Sequence, residues 1–311
     1  MPSQATIQRP VETEGIGLHT AVESRVRLVP APADTGVVFR RVDLDNFEIA
    51  AKVENVARVS YATSLMKQGV LISTTEHLLA ALYCCGIDNV FVEINALELP
   101  ILDGSSQPFI EMLAQAGTRK LRRPRHYIHV VKPLEFSDGD RRIGIYPADD
   151  FSIHCFVDYN HPCAGPQEIE MRVTRESFSR ELAPARTFTF VKELQALQKM
   201  GLIRGGSLAN AIVMDSDSIL NGPLRTPDEF VRHKALDLIG DLALVGRPIQ
   251  GRIVAHKAGH ALHTQLVTRL LGDRSLWKET IDTRDAGASG HVASADADSM
   301  DAGAQADQAS D

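Results

Sequence analysis

Apolar positions along this chain recur with two periods. Residues 22–29 and 89–94 alternate apolar with polar side chains, as a half-buried strand does, and residues 127–131, 142–146 and 151–158 repeat that pattern further on. Helical spacing appears elsewhere. In STTEHLLAALYCCG (73–86) an apolar run follows Ser73 and Glu76, which fit an S-x-x-E capping box, and Gly86 supplies a stop, so a helix is predicted over 74–85. In TPDEFVRHKALDLIGDLALVG (226–246) Thr226 is placed as N-cap and Pro227 at the first helical position, with Gly246 closing the segment. Val231, Ala235, Leu238, Leu242 and Val245 form its core-facing stripe, predicting a helix over 228–245. A third helix is expected over roughly 260–271. Each half of the chain thus reads as strands followed by helices, which favours an α+β fold over a doubly wound sheet.

The basic run RKLRRPRH (119–126) follows an apolar helical segment ending at Ala116 and Gly117, and reads as a solvated linker between two domains, 1–122 and 123–280. Beyond it, residues 281–311 are rich in Asp, Ala, Ser and Gly and nearly free of large apolar side chains. Such a segment cannot bury enough surface to offset its ordering entropy, so a disordered acidic tail is expected.

Composition narrows the function classes. With 311 residues and 44% hydrophobic content the chain can bury a sizeable core. A formal charge of −7 opposes nonspecific nucleic-acid binding. There is no apolar run long enough to cross a bilayer and no signal-peptide pattern at the start, so the cytoplasm is the expected compartment. Cys84, Cys85, Cys155 and Cys163 form no CxxC pair and read as buried reduced thiols.

Candidate chemistry gathers at three places. His77 sits beside Glu76 in the first turn of the first helix, and no cap requires it. His233, Asp237 and Asp241 stand four residues apart on the 228–245 helix, where i,i+4 side chains lie about 5–6 Å apart at Cβ and can share one ion. Spacing alone is weak evidence: HxxxD arises by chance about once in a chain of this composition, and an ion pair on a solvated face is the commoner explanation of such an i,i+4 pair as His233 and Asp237. His154 and Asp158 repeat the spacing within a predicted strand, where four residues span about 13 Å and cannot chelate. His260 follows a Lys-Ala-Gly turn at a strand-to-helix junction, a position that often carries function, although a capping or surface histidine fits there too. Together these residues supply two imidazoles and a carboxylate for a metal, a spare carboxylate and a spare histidine. That set suits zinc hydrolysis and also nonheme iron.

GIGLHT (15–20), STTEHLLAAL (73–82), ILDGSSQPF (101–109), ARTFTF (185–190), FVRHKALDLIGDL (230–242) and KAGHAL (257–262) together resemble, in order, the UDP-3-O-acyl-N-acetylglucosamine deacetylases of lipid A synthesis. The resemblance spans residues 7 to about 280. It implies zinc on His77, His233 and Asp237, a ligand set that Fe2+ also takes. Glu76 would be general base and His260 general acid, with Asp241 orienting His260 and Thr187 holding the oxyanion. Lys234 and Phe188 would contact substrate. It further implies two α+β domains with their helices between the sheets, and a β-α-β insert near 189–214 sheltering the acyl chain with Val191, Leu194, Ile203, Leu208, Ala211 and Val213. His19 and Tyr159, with Asn160 and His161, fall in regions that such enzymes use around the nucleotide sugar. The implied partner is an acylated UDP-sugar, and a monomer is expected. A nonenzymatic UDP-lipid-binding protein with a structural zinc, or a zinc amidohydrolase of another acylated sugar, are the competing readings.

Overall fold

The computed structural model describes residues 2–281. Of the acidic tail expected over 281–311, Ile281 ends strand Trp277–Ile281, and residues 282–311 lie outside the described residues. The fold is α+β, with several sheets and the helices α1 (Glu76–Cys84), α2 (Gln107–Ala116), α3 (Arg175–Ser177), α4 (Val191–Lys199), α5 (Glu229–Leu242) and α6 (His260–Gly272).

A five-stranded sheet runs in the order 11–16, 23–30, 90–94, 37–41, 47–50, antiparallel except where Val37–Arg41 pairs in parallel with Val90–Ile94. The alternation read in residues 22–29 is realised here: Val26 and Leu28 point inward while Arg25 and Arg27 face solvent. Leu78, Leu79 and Leu82 of α1 and Met112 and Leu113 of α2 pack against this sheet. A seven-stranded mixed sheet in the second half is built on Ile249–His256, which pairs with strands 141–146, 151–157 and 126–130. Against it pack α5, through Val231, Ala235, Leu238 and Leu242, and α6, through Leu266, Val267 and Leu270. The helices therefore lie between the two sheets.

Two close approaches fix this arrangement. A Cβ on Gly240 of α5 would stand 2.1 Å from the Glu76 carbonyl oxygen, so the crossing with α1 is possible only because that side chain is absent. Ala80 of α1 completes the contact by packing into the second core. The crossing brings the first turn of α1 against the middle of α5.

Four local expectations are corrected. The basic run is not a linker loop: Thr118–Pro124 is a strand paired antiparallel with Ser3–Ile7, and its basic side chains stand in solvent. The capping box is not formed, since α1 is preceded by Thr75 with no side-chain cap and the Ser73 hydroxyl meets that of Ser64. Thr226 does not cap α5 either; Asp228 precedes its first residue, and residues 243–245 form a separate 3-10 turn before Gly246. The cysteines are free, but only Cys85 and Cys155 are buried, Cys84 and Cys163 being partly exposed.

Candidate active site

His77 on α1 and His233 and Asp237 on α5 meet where the two helices cross. Each offers one ligand atom, and these atoms lie within 4.8 Å of one another. His77 Nε2 and His233 Nε2 stand 3.6 and 3.5 Å from the same oxygen, Asp237 Oδ1. These separations exceed ordinary hydrogen bonds, so the three groups converge on one point without satisfying one another. The ion pair on a solvated face is excluded, because His233 and Asp237 are each only 2% exposed. His233 Nδ1–H donates to the Ala185 carbonyl at 3.1 Å, which leaves the Nε2 lone pair for a ligand. Burial pulls the imidazole down to about 3 despite Asp237, so it is neutral, as a metal ligand must be.

Two further groups flank the trio. Glu76 is buried, and its carboxylate accepts the Thr63 backbone N–H at 3.0 Å instead of capping α1. Burial pushes its pKa up, opposed by the charges of His260 and His77. His260 opens α6 and gives its Nδ1–H to Asp241 Oδ2 at 2.7 Å, which turns Nε2 toward Asp237 Oδ2, 3.9 Å away. Burial lowers the His260 pKa, but Asp241 outweighs it through charge and hydrogen bond and the ring is held at about 9. Asp241 itself stays ionised below the usual carboxylate range: burial opposes this, and His260 and His263 overcome it.

The surrounding loops are tied to these helices. Ser106, in the ILDGSS segment, donates its hydroxyl to the His77 carbonyl at 2.7 Å. Glu229, fully buried at the start of α5, accepts from the Arg186 backbone and guanidinium and from the Arg225 N–H. Those bonds hold the 185–190 segment over the site. Thr187 N–H donates to Gly104 O at 2.8 Å, and a Cβ on Gly104 would collide with Asn210 O at 2.1 Å.

Strand Phe188–Phe190, helix α4 and strand Ile212–Met214 form a β-α-β unit whose strands pair in parallel. Beside it lies a cavity of about 390 Å³. Val191, Leu194, Ile203, Leu208, Ala211 and Val213 line it, as do Thr187, Phe188 and His19. Neither ring nitrogen of His19 has a hydrogen-bond partner among the described residues. Lys234 lies outside the cavity wall; its Nζ is 2.8 Å from Asp237 Oδ2 and 5.5 Å from the Phe188 ring centre. Tyr159 packs edge-on against Phe188, ring centres 5.1 Å apart, and is not among the residues that line the cavity. His161 Nε2–H donates to the Asp215 carbonyl at 2.6 Å, while its Nδ1 accepts from the Cys163 N–H.

Residues 4–272 match the family described as LpxC, UDP-3-O-acyl N-acetylglycosamine deacetylase. The chain belongs to this family. Among curated relatives, a protein named UDP-3-O-acyl-N-acetylglucosamine deacetylase from Solibacter usitatus (strain Ellin6076) is 54% identical over 89% of this chain and 94% of its own length. Proteins of the same name from Anaeromyxobacter dehalogenans (strain 2CP-C) and Phenylobacterium zucineum (strain HLK1) are 45% and 44% identical, over 87% and 88% of this chain and 88% and 95% of their own.

Several groups in this family member's site carry no mark in the sequence. Leu18, Tyr61 and Leu220 line the cavity from segments far apart in the chain. Leu197 also lines it, and this residue was within reach: it stands three positions after Leu194 on the same face of α4. His263 donates Nδ1–H to Asp241 at 2.8 Å, a contact that nothing in its sequence spacing marks out from His256 and His260. The spacing decoy resolves as expected, with His154 paired to Glu168 on the neighbouring strand.

Proposed function

We propose that the chain removes the N-acetyl group of UDP-3-O-((R)-3-hydroxyacyl)-N-acetylglucosamine, releasing acetate and the free amine, as the committed step of lipid A synthesis. The observation that carries this reading is the juxtaposition at one helix crossing of a convergent two-histidine, one-aspartate set, a buried carboxylate and a protonated imidazole, beside a cavity sized for an acyl chain. The name shared by the relatives points to the same substrate. The lipid A pathway carries with it a cytoplasmic location, and no helix of the described residues is long and apolar enough to cross a membrane.

His77, His233 and Asp237 would hold the metal ion. Their donor chemistry fits: a neutral imidazole at His233, an ionised carboxylate at Asp237 and three ligand atoms around one point, leaving coordination positions open. Two imidazoles and one carboxylate suit zinc, and Fe2+ takes the same set. When bound, the cation supplies Lewis acidity, which acidifies water and polarises an amide carbonyl.

The chain's own residues move the protons. Glu76, anchored at one oxygen by the Thr63 N–H, takes a proton from the attacking water with the other. The Thr187 hydroxyl, on the wall between cavity and helix crossing, stabilises the oxyanion. His260 is held protonated by Asp241 and gives its Nε2 proton to the departing nitrogen, which then leaves as the neutral amine and not as an amide anion. Lys234 and Phe188 contact the substrate, Lys234 opposite the Asp237 carboxylate. The acyl chain lies among Val191, Leu194, Ile203, Leu208, Ala211 and Val213. His19 lies against the sugar nucleotide.

Acetate release from the acylated UDP-sugar, compared with UDP-N-acetylglucosamine, tests the reading. Turnover of the acylated substrate that far exceeds the other is expected. A binding protein with a structural metal would release none from either, and an amidohydrolase of another sugar would not distinguish them.

A further inference from the structure

Thr63 lies between strands Val56–Arg58 and Ser64–Lys67, fully buried, in a stretch with no motif. It nonetheless touches both proton-moving systems. Its backbone N–H donates to Glu76 Oε2 at 3.0 Å. Its hydroxyl donates to Asp241 Oδ1 at 2.5 Å and stands 3.2 Å from His260 Nδ1. Its carbonyl accepts from the Thr75 N–H at 3.2 Å and the Thr75 hydroxyl at 3.0 Å, which fixes it to the start of α1.

The Asp241 carboxylate therefore has three donors. Oδ2 accepts from His260 and His263, at 2.7 and 2.8 Å, and Oδ1 accepts from Thr63. With both imidazoles on one oxygen, the hydroxyl is the only one of these donors that holds the other. It thereby sets the rotation of the carboxylate about its last torsion, and with it the plane of the His260 ring. Removing it leaves a buried charged oxygen without a donor, which burial makes costly unless the carboxylate turns. A turn of the carboxylate would move the acceptor away from His260 Nδ1.

We propose that Thr63 is a positioning residue for the deacetylation: one threonine from the first half of the chain fixes the proton acceptor Glu76 through its backbone and the proton donor His260 through Asp241. This rests on the function proposed above. Valine would fill the same space, so its substitution separates the hydroxyl's hydrogen bond to Asp241 from side-chain packing.

The test uses the full chain loaded with metal. Thr63→Val keeps the volume and the backbone N–H but removes the hydroxyl, while Thr63→Ser keeps the hydroxyl. Loss of a group that orients a catalytic partner lowers kcat about 10-fold or more in Thr63→Val, with KM and metal content unchanged, and Thr63→Ser recovers most of the rate. Thr63→Ala gives the same comparison if valine packs poorly. In an Asp241→Ala background Thr63→Val lowers kcat no further, because its effect runs through Asp241. Parent-like kcat in Thr63→Val, equal losses in the valine and serine variants, or an undiminished loss in the Asp241→Ala background overturns the proposal. Absence of acetate release by the parent chain is a separate result, and it overturns the function and this inference together.

Discussion

At the scale of single residues, the account depends on how each ionisable group is held. His260 is kept at about 9, above the ordinary histidine value of 6.5, because Asp241 outweighs burial. A raised histidine pKa stabilises the fold fully below pH 6.5, and that contribution is lost as pH rises through about 9. Under the proposed function the same proton is the one given to the leaving nitrogen, so activity is expected to fall on the alkaline side near pH 9. Asp241→Asn removes the opposing charge, and the alkaline limb of the pH–rate profile should then move to lower pH; an unmoved limb would show that His260 is not the group observed. The i,i+4 spacing of His233, Asp237 and Asp241 was legible, but not whether that face is wet or dry. Burial at the α1–α5 crossing decides it, and burial there depends on residues more than 150 positions away. Glu76 shows the same limit: its sequence fits a helix cap, yet its carboxylate bonds to Thr63.

At the scale of elements, the site exists because α1 and α5 touch. Gly240 permits that contact by having no side chain opposite the Glu76 carbonyl. Gly240→Ala should therefore destabilise the protein by about 1–3 kcal/mol, in the range for overpacking a tight core contact, and lower activity together with stability. A thermal melt beside an activity assay checks this, and unchanged melting would mean that the helices separate without cost. Helical periods placed α1, α5 and α6, and alternation placed five of the strands, since each of these buries one stripe or one face. The strand Thr118–Pro124 escaped because its charged residues are exposed along the whole of its length, leaving no alternation to read. Its partner, Ser3–Ile7, lies more than a hundred residues earlier.

At the scale of the whole molecule, two sheets with helices between them bring the candidate metal-binding trio at one crossing and the cavity beside the β-α-β unit to adjoining positions. The cavity's apolar lining predicts selectivity for chain length, each buried methylene contributing about 0.8 kcal/mol. Ala211→Trp, which fills the cavity, should lower kcat/KM for a long-chain substrate about 10-fold or more while leaving metal content intact, since loss of two or so buried methylenes suffices for that factor. Equal losses for short and long acyl chains would place the chain elsewhere. The order of the motifs along the chain made this architecture readable as a resemblance, whereas the cavity's outlying wall, from Leu18, Tyr61 and Leu220, required the folded chain.

The central claim is a division of labour, with His77, His233 and Asp237 holding the metal while Glu76 and His260 move protons. Metal content measured alongside acetate release for His77→Ala, Glu76→Ala and His260→Ala tests it most directly. The account predicts that His77→Ala loses the metal, whereas Glu76→Ala and His260→Ala keep it and turn over about 100-fold or more slowly, as loss of acid–base groups does. Stoichiometric metal in His77→Ala, or near-parental turnover in both of the other variants, would contradict it.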